Sequence, residues 1–323
     1  LHALAIKANP LVQVLREAVQ CGAGLEAASL EEVQLAIAAG CPTAKIVFDS
    51  PAKTIDEIRA ALEMGILVNA NSLDELERIG SQWIDGASNS QIGIRINPEL
   101  GSGSIAHTSV ANSDSKFGVP LSTEREAILE AFVRYPWLTG LHVHVGSQGC
   151  ELSMLVQAAS RIDELRKQIQ QRSGRPIEFV DIGGGLPTIY LSDQTAPSPT
   201  EYVRQLHNAV PDLVDGKTDL VTEFGRAIQA GCGVTYSRVE YVRPQQRMAV
   251  VHLGADFLMR PVYAADDWKH EFFVLDASGC PKQSEVKPLT IAGPLCFSGD
   301  IIARQVPLPE VSPGDWLVVR DTG

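Results

Sequence analysis

LHALAIKANPLVQVLREAVQCGAGLEAAS, residues 1–29, holds one full repeat of the pattern that decides the fold. LHALAIKA (1–8) is apolar and strand-like, PLVQVLREAVQ (10–20) carries apolar residues at helical spacing, and AGLEAAS (23–29) is strand-like again. Strand, helix and strand in so short a span make a parallel βαβ unit. The alternation continues through AKIVFDS (44–50), ILVNA (66–70), IGIRIN (92–97), LTGLHVHVGS (138–147), IEFVDIGG (177–184) and DLVTEFG (219–225), which brings the strand-like runs to eight. Helical candidates such as SLEEVQLAIAAG, TIDEIRAALEMG, SLDELERIG and STEREAILEAFVRY lie between them. Ser29 and Ser72 precede Glu32 and Glu75 at capping-box spacing, and Gly40 and Gly65 stand at helix stops. Eight such units over about 230 residues predict a (β/α)8 barrel, with a doubly wound open sheet as the alternative.

From residue 234 onward the rhythm changes. GVTYSRVEYVR, RMAVVHLGADF, HEFFVLDA, KPLTIAGPLC and DWLVVRDTG follow one another with turns between them and no long helical pattern. Residues 1–233 are therefore expected to form the barrel and residues 234–323 an all-β domain, a β-sandwich or β-barrel. GSGSIAHTSVANSDSKFG (101–118) and SDQTAPSPT (192–200) read as long loops of the kind that carry function on barrels. The chain opens inside one strand-like run and stops just after another, so trimmed ends are expected.

Composition excludes several classes. The 323 residues are 45% hydrophobic, enough for a large core, and no apolar run approaches the roughly 20 residues of a membrane span. The net charge of −12 comes from scattered acids, with no basic tract to follow a phosphate backbone, so neither nucleic acid nor membrane is an expected partner. Six widely spaced cysteines, with no CxxC pair, read as free thiols of a cytoplasmic protein.

Barrel enzymes place their chemistry at the C-terminal ends of the strands. There stand Lys7, Glu26, Arg95, His142 with His144, the triplet Gly183, Gly184 and Gly185, and Glu223 with Arg226. Any one of these alone reads as a rim ion pair, an orienting histidine or a tight turn; together they point to a site. Consecutive glycines permit close approach and a nest of backbone N–H groups for an anion, and Arg226 supplies a second phosphate contact. If the phosphate ligand also bears a carbonyl, Lys7 has a purpose as a Schiff-base lysine. Pyridoxal 5'-phosphate (PLP) combines an aldehyde, a phosphate and a basic ring nitrogen, and Glu223 beside that nitrogen would keep it protonated. His142 and His144 lack an obvious carboxylate-bridged ligand set, so no metal is expected. In the second domain AGPLCFSGD (292–300) places Cys296 at a strand end, which by itself is a thiol in a turn.

AIKANP, HVGSQ, DIGGG, EFGR, GPLCFSGD and the final DTG, in this order over essentially the whole chain, resemble the fold-type III PLP-dependent decarboxylases. This alanine-racemase-like group includes diaminopimelate, ornithine and arginine decarboxylases. The resemblance implies that Lys7 forms the Schiff base, that His144 stacks on the pyridine ring, and that Ser147, the glycines 183 to 185, Gly225 and Arg226 hold the phosphate. It also implies that Glu223 pairs with the ring nitrogen, that Glu26 and Arg95 lie near the cofactor, and that Cys296 reaches the partner's site in a homodimer and protonates carbon. Arg260, Tyr263, Phe297 and Asp300 are the implied substrate contacts. The implied reaction is amino-acid decarboxylation in amino-acid metabolism, with meso-diaminopimelate, giving L-lysine, or a related diamino acid or conjugate as substrate.

Three positions depart from the family pattern. Phe224 replaces a proline in EFGR, Phe297 replaces a commonly acidic residue, and Arg260 and Tyr263 stand one residue closer than usual. Two other functions remain as alternatives. An amino-acid racemase on this fold would face the ring nitrogen with arginine rather than Glu223, and a non-catalytic PLP-binding protein would lack residues 234–323.

Overall fold

A computed structural model describes residues 1–84, 86–105, 110–112 and 114–323. Two compact units emerge: Leu1–Pro187 with Ala196–Ile228, and Thr188–Thr195 with Gln229–Gly323. Segment 188–195, which a single cut at 233/234 leaves with the barrel, packs in the second unit. There Ser192 N–H donates to Glu271 Oε1 (2.8 Å) and the Tyr190 ring meets His270 edge-on (4.9 Å).

The first unit is the expected barrel. Its parallel strands are β1 (Ala3–Ala5), β2 (Gly24–Ala27), β3 (Ile46–Phe48), β4 (Leu67–Ala70), β5 (Ile92–Asn97), β7 (Leu138–Val143), β8 (Phe179–Asp181) and β9 (Asp219–Val221), neighbours in that order. A two-residue β6 (Val119–Pro120) pairs with the end of β5. The circle closes where Ala3 N–H donates to the Thr222 carbonyl (2.8 Å), so the open-sheet alternative falls. Helices α1 (Val12–Gln20), α2 (Leu30–Ala38), α3 (Ile55–Met64), α4 (Leu73–Gln82), α5 (Leu121–Arg134), α6 (Leu152–Ser173) and α7 (Pro199–Ala209) connect the strands. Their apolar faces bury Leu15, Val33, Ile58, Leu76, Ile128 and Ile162 in one core with the outward strand residues Leu25, Phe48, Ile94 and Val180. Ser29 and Ser72 cap α2 and α4 by accepting from the N–H of Glu32 and Glu75. The two glutamates reach one residue beyond the cap, to the N–H of Ala28 and Asn71. The reciprocal box forms instead at Thr54 and Glu57.

Register determines what faces inward. Carried from strand to strand, the pairing puts one face of each strand inside: Ala3 and Ala5, Gly24 and Glu26, Val47 and Asp49, Leu67 and Asn69, Gly93 and Arg95, Gly140 and His142, Phe179 and Asp181, then Val221 and Glu223 just past β9. Each pair is two residues apart, the period of a strand. The first member is small or apolar on every strand, and Ala3, Val47, Leu67, Phe179 and Val221 form a separate interior cluster. Phe179 fills the middle, and a Cβ on Gly93 or Gly140 would run into its ring. The second member, nearer the C-terminal end, is polar on every strand but the first.

The second unit is a six-stranded sheet in the order β12-β15-β10-β11-β13-β14, built from β10 (Val234–Arg243), β11 (Met248–Val251), β12 (Phe272–Leu275), β13 (Lys287–Ala292), β14 (Ile301–Leu308) and β15 (Trp316–Arg320). Register shifts at Val239/Tyr241 of β10 and at Ile291 of β13 bend it around Val239, Val251, Val274, Ile291, Ile302 and Leu317. Five of these strands match runs legible in sequence. β14 does not: Pro307 and the positive φ of Gln305 (53°) break its pattern, which is tolerable because it is an edge strand. One short helix, α8 (Arg226–Gln229), follows β9, and α9 (Met259–Tyr263) is a single turn. No helix among the described residues is long and apolar enough to cross a membrane.

Candidate active site

Lys7 lies in a one-turn 3-10 helix (Ile6–Ala8) immediately past β1, so the strand ends before the charge and the amine turns into the barrel mouth. Its Nζ donates to both oxygens of Glu26 at 2.7 Å. Glu26 is wholly buried, and burial lifts its pKa to about 7 against the pull of Lys7. Burial also works against the Lys7 ammonium, but Glu26, Glu223 and Asp49 outweigh it and raise its pKa above the ordinary lysine value. The amine is thus held protonated in an ion pair with Glu26, and it must pass on a proton before it can act as a nucleophile.

His144 follows β7. Its Nδ1 accepts from Gly184 N–H (3.0 Å), and burial lowers its pKa to about 3, so it presents a neutral ring. The glycines make that contact possible. A Cβ on Gly183, whose φ is +66°, would sit 2.6 Å from the Val143 carbonyl and 2.7 Å from His144 Nδ1, and one on Gly184 would strike the Glu223 carbonyl. Nearby, Arg226 Nε donates to Ser147 Oγ (3.0 Å), which joins a cation and a hydroxyl to the glycine turn. Gly225 packs against Ala5 and Ala8, where a side chain would crowd the Lys7 turn.

Glu223 is buried. Its Oε2 lies 3.6 Å from His142 Nε2, and its Oε1 has no hydrogen-bond partner among the described residues. Burial and Asp49 oppose its ionisation, but His142 and Lys7 win and its pKa lies below the ordinary glutamate value. A buried anionic oxygen without a donor is what a protonated ring nitrogen would satisfy. Phe224 turns outward and meets Tyr202 of α7 edge-on (6.1 Å), so its replacement of proline leaves Glu223 and Arg226 at the site.

Sequence reading missed several groups. Asp49 places Oδ1 3.3 Å from His142 Nδ1 and Oδ2 3.6 Å from Arg95, and these cations with Lys53 hold its pKa well below normal despite burial. Asp181 accepts from Gly183 N–H (2.9 Å) and from Asn69 (3.4 Å), and burial and Glu223 push its pKa well above normal. Phe117, delivered by the 101–118 loop, stacks on the Arg95 guanidinium (4.5 Å). Residues 106–109 and 113 of that loop lie outside the described residues. A period-two reading of each strand would have found Asp49, Asn69 and Asp181, since each stands two places after an inward apolar residue.

The view that His142 lacks flanking carboxylates is corrected: Asp49, His142 and Glu223 bring their ligand atoms within 4.8 Å of one another. His142 is nevertheless held as a cation, its pKa raised to about 10 by Asp49, Glu223 and Asp181 against burial, and an imidazolium has no lone pair for a metal.

Cys296, Phe297, Asp300, Arg260 and Tyr263 all belong to the second unit. Asp300 is buried, and its oxygens accept from the N–H of Ala255 (2.7 Å) and Leu295 (2.8 Å). That gives it a structural post in the Cys296 turn. Cys296 and Phe297 are exposed at the tip of this turn. Arg260 and Tyr263 share α9, with the Arg260 guanidinium 5.2 Å over Trp268 and the Tyr263 ring exposed.

A (β/α)8 barrel with a lysine beside a buried carboxyl, a glycine turn joined to arginine, and an orphaned carboxylate belongs to the pyridoxal class of enzymes. Residues 2–230 match the family model for the pyridoxal-dependent decarboxylase, pyridoxal binding domain, and the chain belongs to that family. It is a carboxy-lyase. Diaminopimelate decarboxylase of Zymomonas mobilis is 31% identical over 328 aligned positions, covering 100% of this chain and 75% of that protein. Its counterpart from Pseudomonas aeruginosa is 31% identical over 326, covering 99% and 75%. The crystal structure of Helicobacter pylori diaminopimelate decarboxylase complexed with L-lysine superposes with a TM-score of 0.89 at 28% identity, covering 100% of this chain and 79% of that one.

Proposed function

We propose that this chain binds PLP and decarboxylates a diamino acid, with meso-diaminopimelate the first candidate and L-lysine its product. The observation that carries the cofactor assignment is Glu223 Oε1, a buried carboxylate oxygen without a donor, in the same barrel mouth as the Lys7 amine and the Gly183–Gly185 turn. Gly183, Gly184, Gly185, Ser147, Gly225 and Arg226 would hold the phosphate, His144 would lie on the ring and Arg95 would flank it. When bound, PLP supplies an aldehyde for an amine and a protonated ring that takes up the electron pair left as the Cα–carboxylate bond breaks.

The chain's own residues do the rest. Glu26 accepts the Lys7 proton and returns it. Glu223 stays ionised to stabilise positive charge on its ligand. His144 is kept neutral by burial, with Gly184 N–H on its Nδ1, so it covers a ring without adding charge. Cys296, exposed on its turn, is our candidate donor of the proton to carbon. The exposed Phe257, Met259, Tyr263 and Phe297 of the second unit support a homodimer that covers them. The diaminopimelate decarboxylase relatives support the substrate.

The test is to load the protein with PLP, record its absorbance and the borohydride-reducible linkage at Lys7, and assay CO2 release across meso-diaminopimelate, lysine, ornithine and arginine. CO2 from the first alone is expected. Loss of optical rotation without CO2 would instead establish a racemase.

A further inference from the structure

We propose that Asp49 and His142 are positioning residues that act through Glu223, holding its carboxylate ionised and fixed by Oε2 so that Oε1 is left for the ring nitrogen of the cofactor. This rests on the reading of Glu223 given above and extends it to two residues with no other assigned task.

Four side chains alternate in charge. Arg95 Nη1 lies 3.6 Å from Asp49 Oδ2, Asp49 Oδ1 lies 3.3 Å from His142 Nδ1, and His142 Nε2 lies 3.6 Å from Glu223 Oε2. All four are buried. Each ring nitrogen of His142 faces a carboxylate oxygen at ion-pair distance without a formed hydrogen bond, and only the imidazolium presents N–H and positive charge to both sides. A neutral tautomer would turn a lone pair on one carboxylate. The groups that face His142 from the neighbouring strands are Asp49 after β3, Arg95 on β5, Asp181 on β8 and Glu223 after β9. Three are acids, and Arg95 is paired with Asp49. His144, two residues on, is neutral.

Glu223 without this cation would face burial with Asp49 as a like charge, and both favour the neutral acid. A neutral Glu223 has no negative charge with which to stabilise a pyridinium, so ring protonation would be disfavoured although the carboxyl remained in place. Asp49 is thus the anchor: it pairs with the far nitrogen of His142 and keeps the imidazole charged, while Arg95 and Phe117 hold Asp49 and its partner.

The experiment uses the full chain with histidine 15N labelling, and His142→Asn identifies the His142 signals by their loss. In the cofactor-free protein His142 is expected to stay doubly protonated through pH 8, and Asp49→Asn to lower its midpoint by more than one unit. A neutral tautomer at pH 7 in the unsubstituted protein overturns the proposal, whatever the variants do. With PLP bound, His142→Asn is expected to lower kcat about tenfold, the factor that one unit of lost proton affinity represents, with KM within twofold and the Lys7 linkage intact. Its acid-side kcat limb should shift, since Glu223, without the cation beside it, then protonates at higher pH. Unchanged kcat and pH profile would also overturn the proposal. Should the unsubstituted protein take up no PLP, the cofactor reading itself fails, and the His142 titration separates that failure from failure of the pairing.

Discussion

The barrel interior has two ends, built on the same eight strands two residues apart, and they obey opposite rules. Ala3, Val47, Leu67, Phe179 and Val221 form a dry floor closed by the Phe179 ring against Gly93 and Gly140. One step further along, Glu26, Asp49, Asn69, Arg95, His142, Asp181 and Glu223 bury charge or polar groups at the mouth. Burying ions costs free energy unless each finds a partner, and a network of this kind is seldom retained for stability. The floor contributes packing, and the mouth spends part of that stability on chemistry.

Substitutions can test how separate the two ends are. Lys7→Ala is expected to remove CO2 release by about 10²–10⁴-fold or more, with the far-UV circular dichroism of the fold retained; a variant that keeps turnover would break the assignment of the mouth. Phe179→Ala, one layer below, should cost about 3–5 kcal/mol in denaturant unfolding, because the glycines around it cannot refill the space. If it instead abolished turnover at unchanged stability, floor and mouth would not be separable. Asp300→Ala strips the acceptor from two part-buried backbone N–H groups and should cost about 1 kcal/mol. Its second readout, faster alkylation of Cys296, reports the loosened turn.

The mouth should also betray itself by pH. Glu26, raised to about 7, keeps its proton longer in the folded protein than in the unfolded chain, so its effect on stability declines as pH rises from about 4.3 to about 7. His142, raised to about 10, contributes stability that is fully present below its unfolded pKa of about 6.5 and is lost as pH rises through about 10. Both slopes run the same way above pH 5. The Tm of the cofactor-free protein should therefore fall toward pH 10, and His142→Asn should flatten the upper part of that decline. Asp49 works oppositely: its pKa is held low, and its contribution is lost as pH falls below the ordinary carboxylate range.

Much of this was legible without coordinates. Lys7, Glu26, Arg95, His144, the glycines and Glu223 advertised themselves as polar or flexible residues ending apolar runs, and the structure brings them into one mouth. Asp49, Asn69 and Asp181 carried the same signal but sat inside the strand-like runs AKIVFDS, ILVNA and IEFVDIGG, whose inward face was not traced. β14 was hidden by Pro307, and the task of Asp300 by its distance in sequence from Ala255, whose N–H it accepts.

What the sequence determined by itself is local and periodic: eight strands, the helices between them, and which residue types end each strand, because a period of two or 3.6 is written in neighbouring letters. What only the tertiary structure decided is charge. That His142 is a cation, His144 neutral, Asp181 pushed toward its acid form and Glu223 ionised follows from partners up to 216 positions away (Lys7 to Glu223) and from exclusion of water, and neither is a property of any stretch of chain.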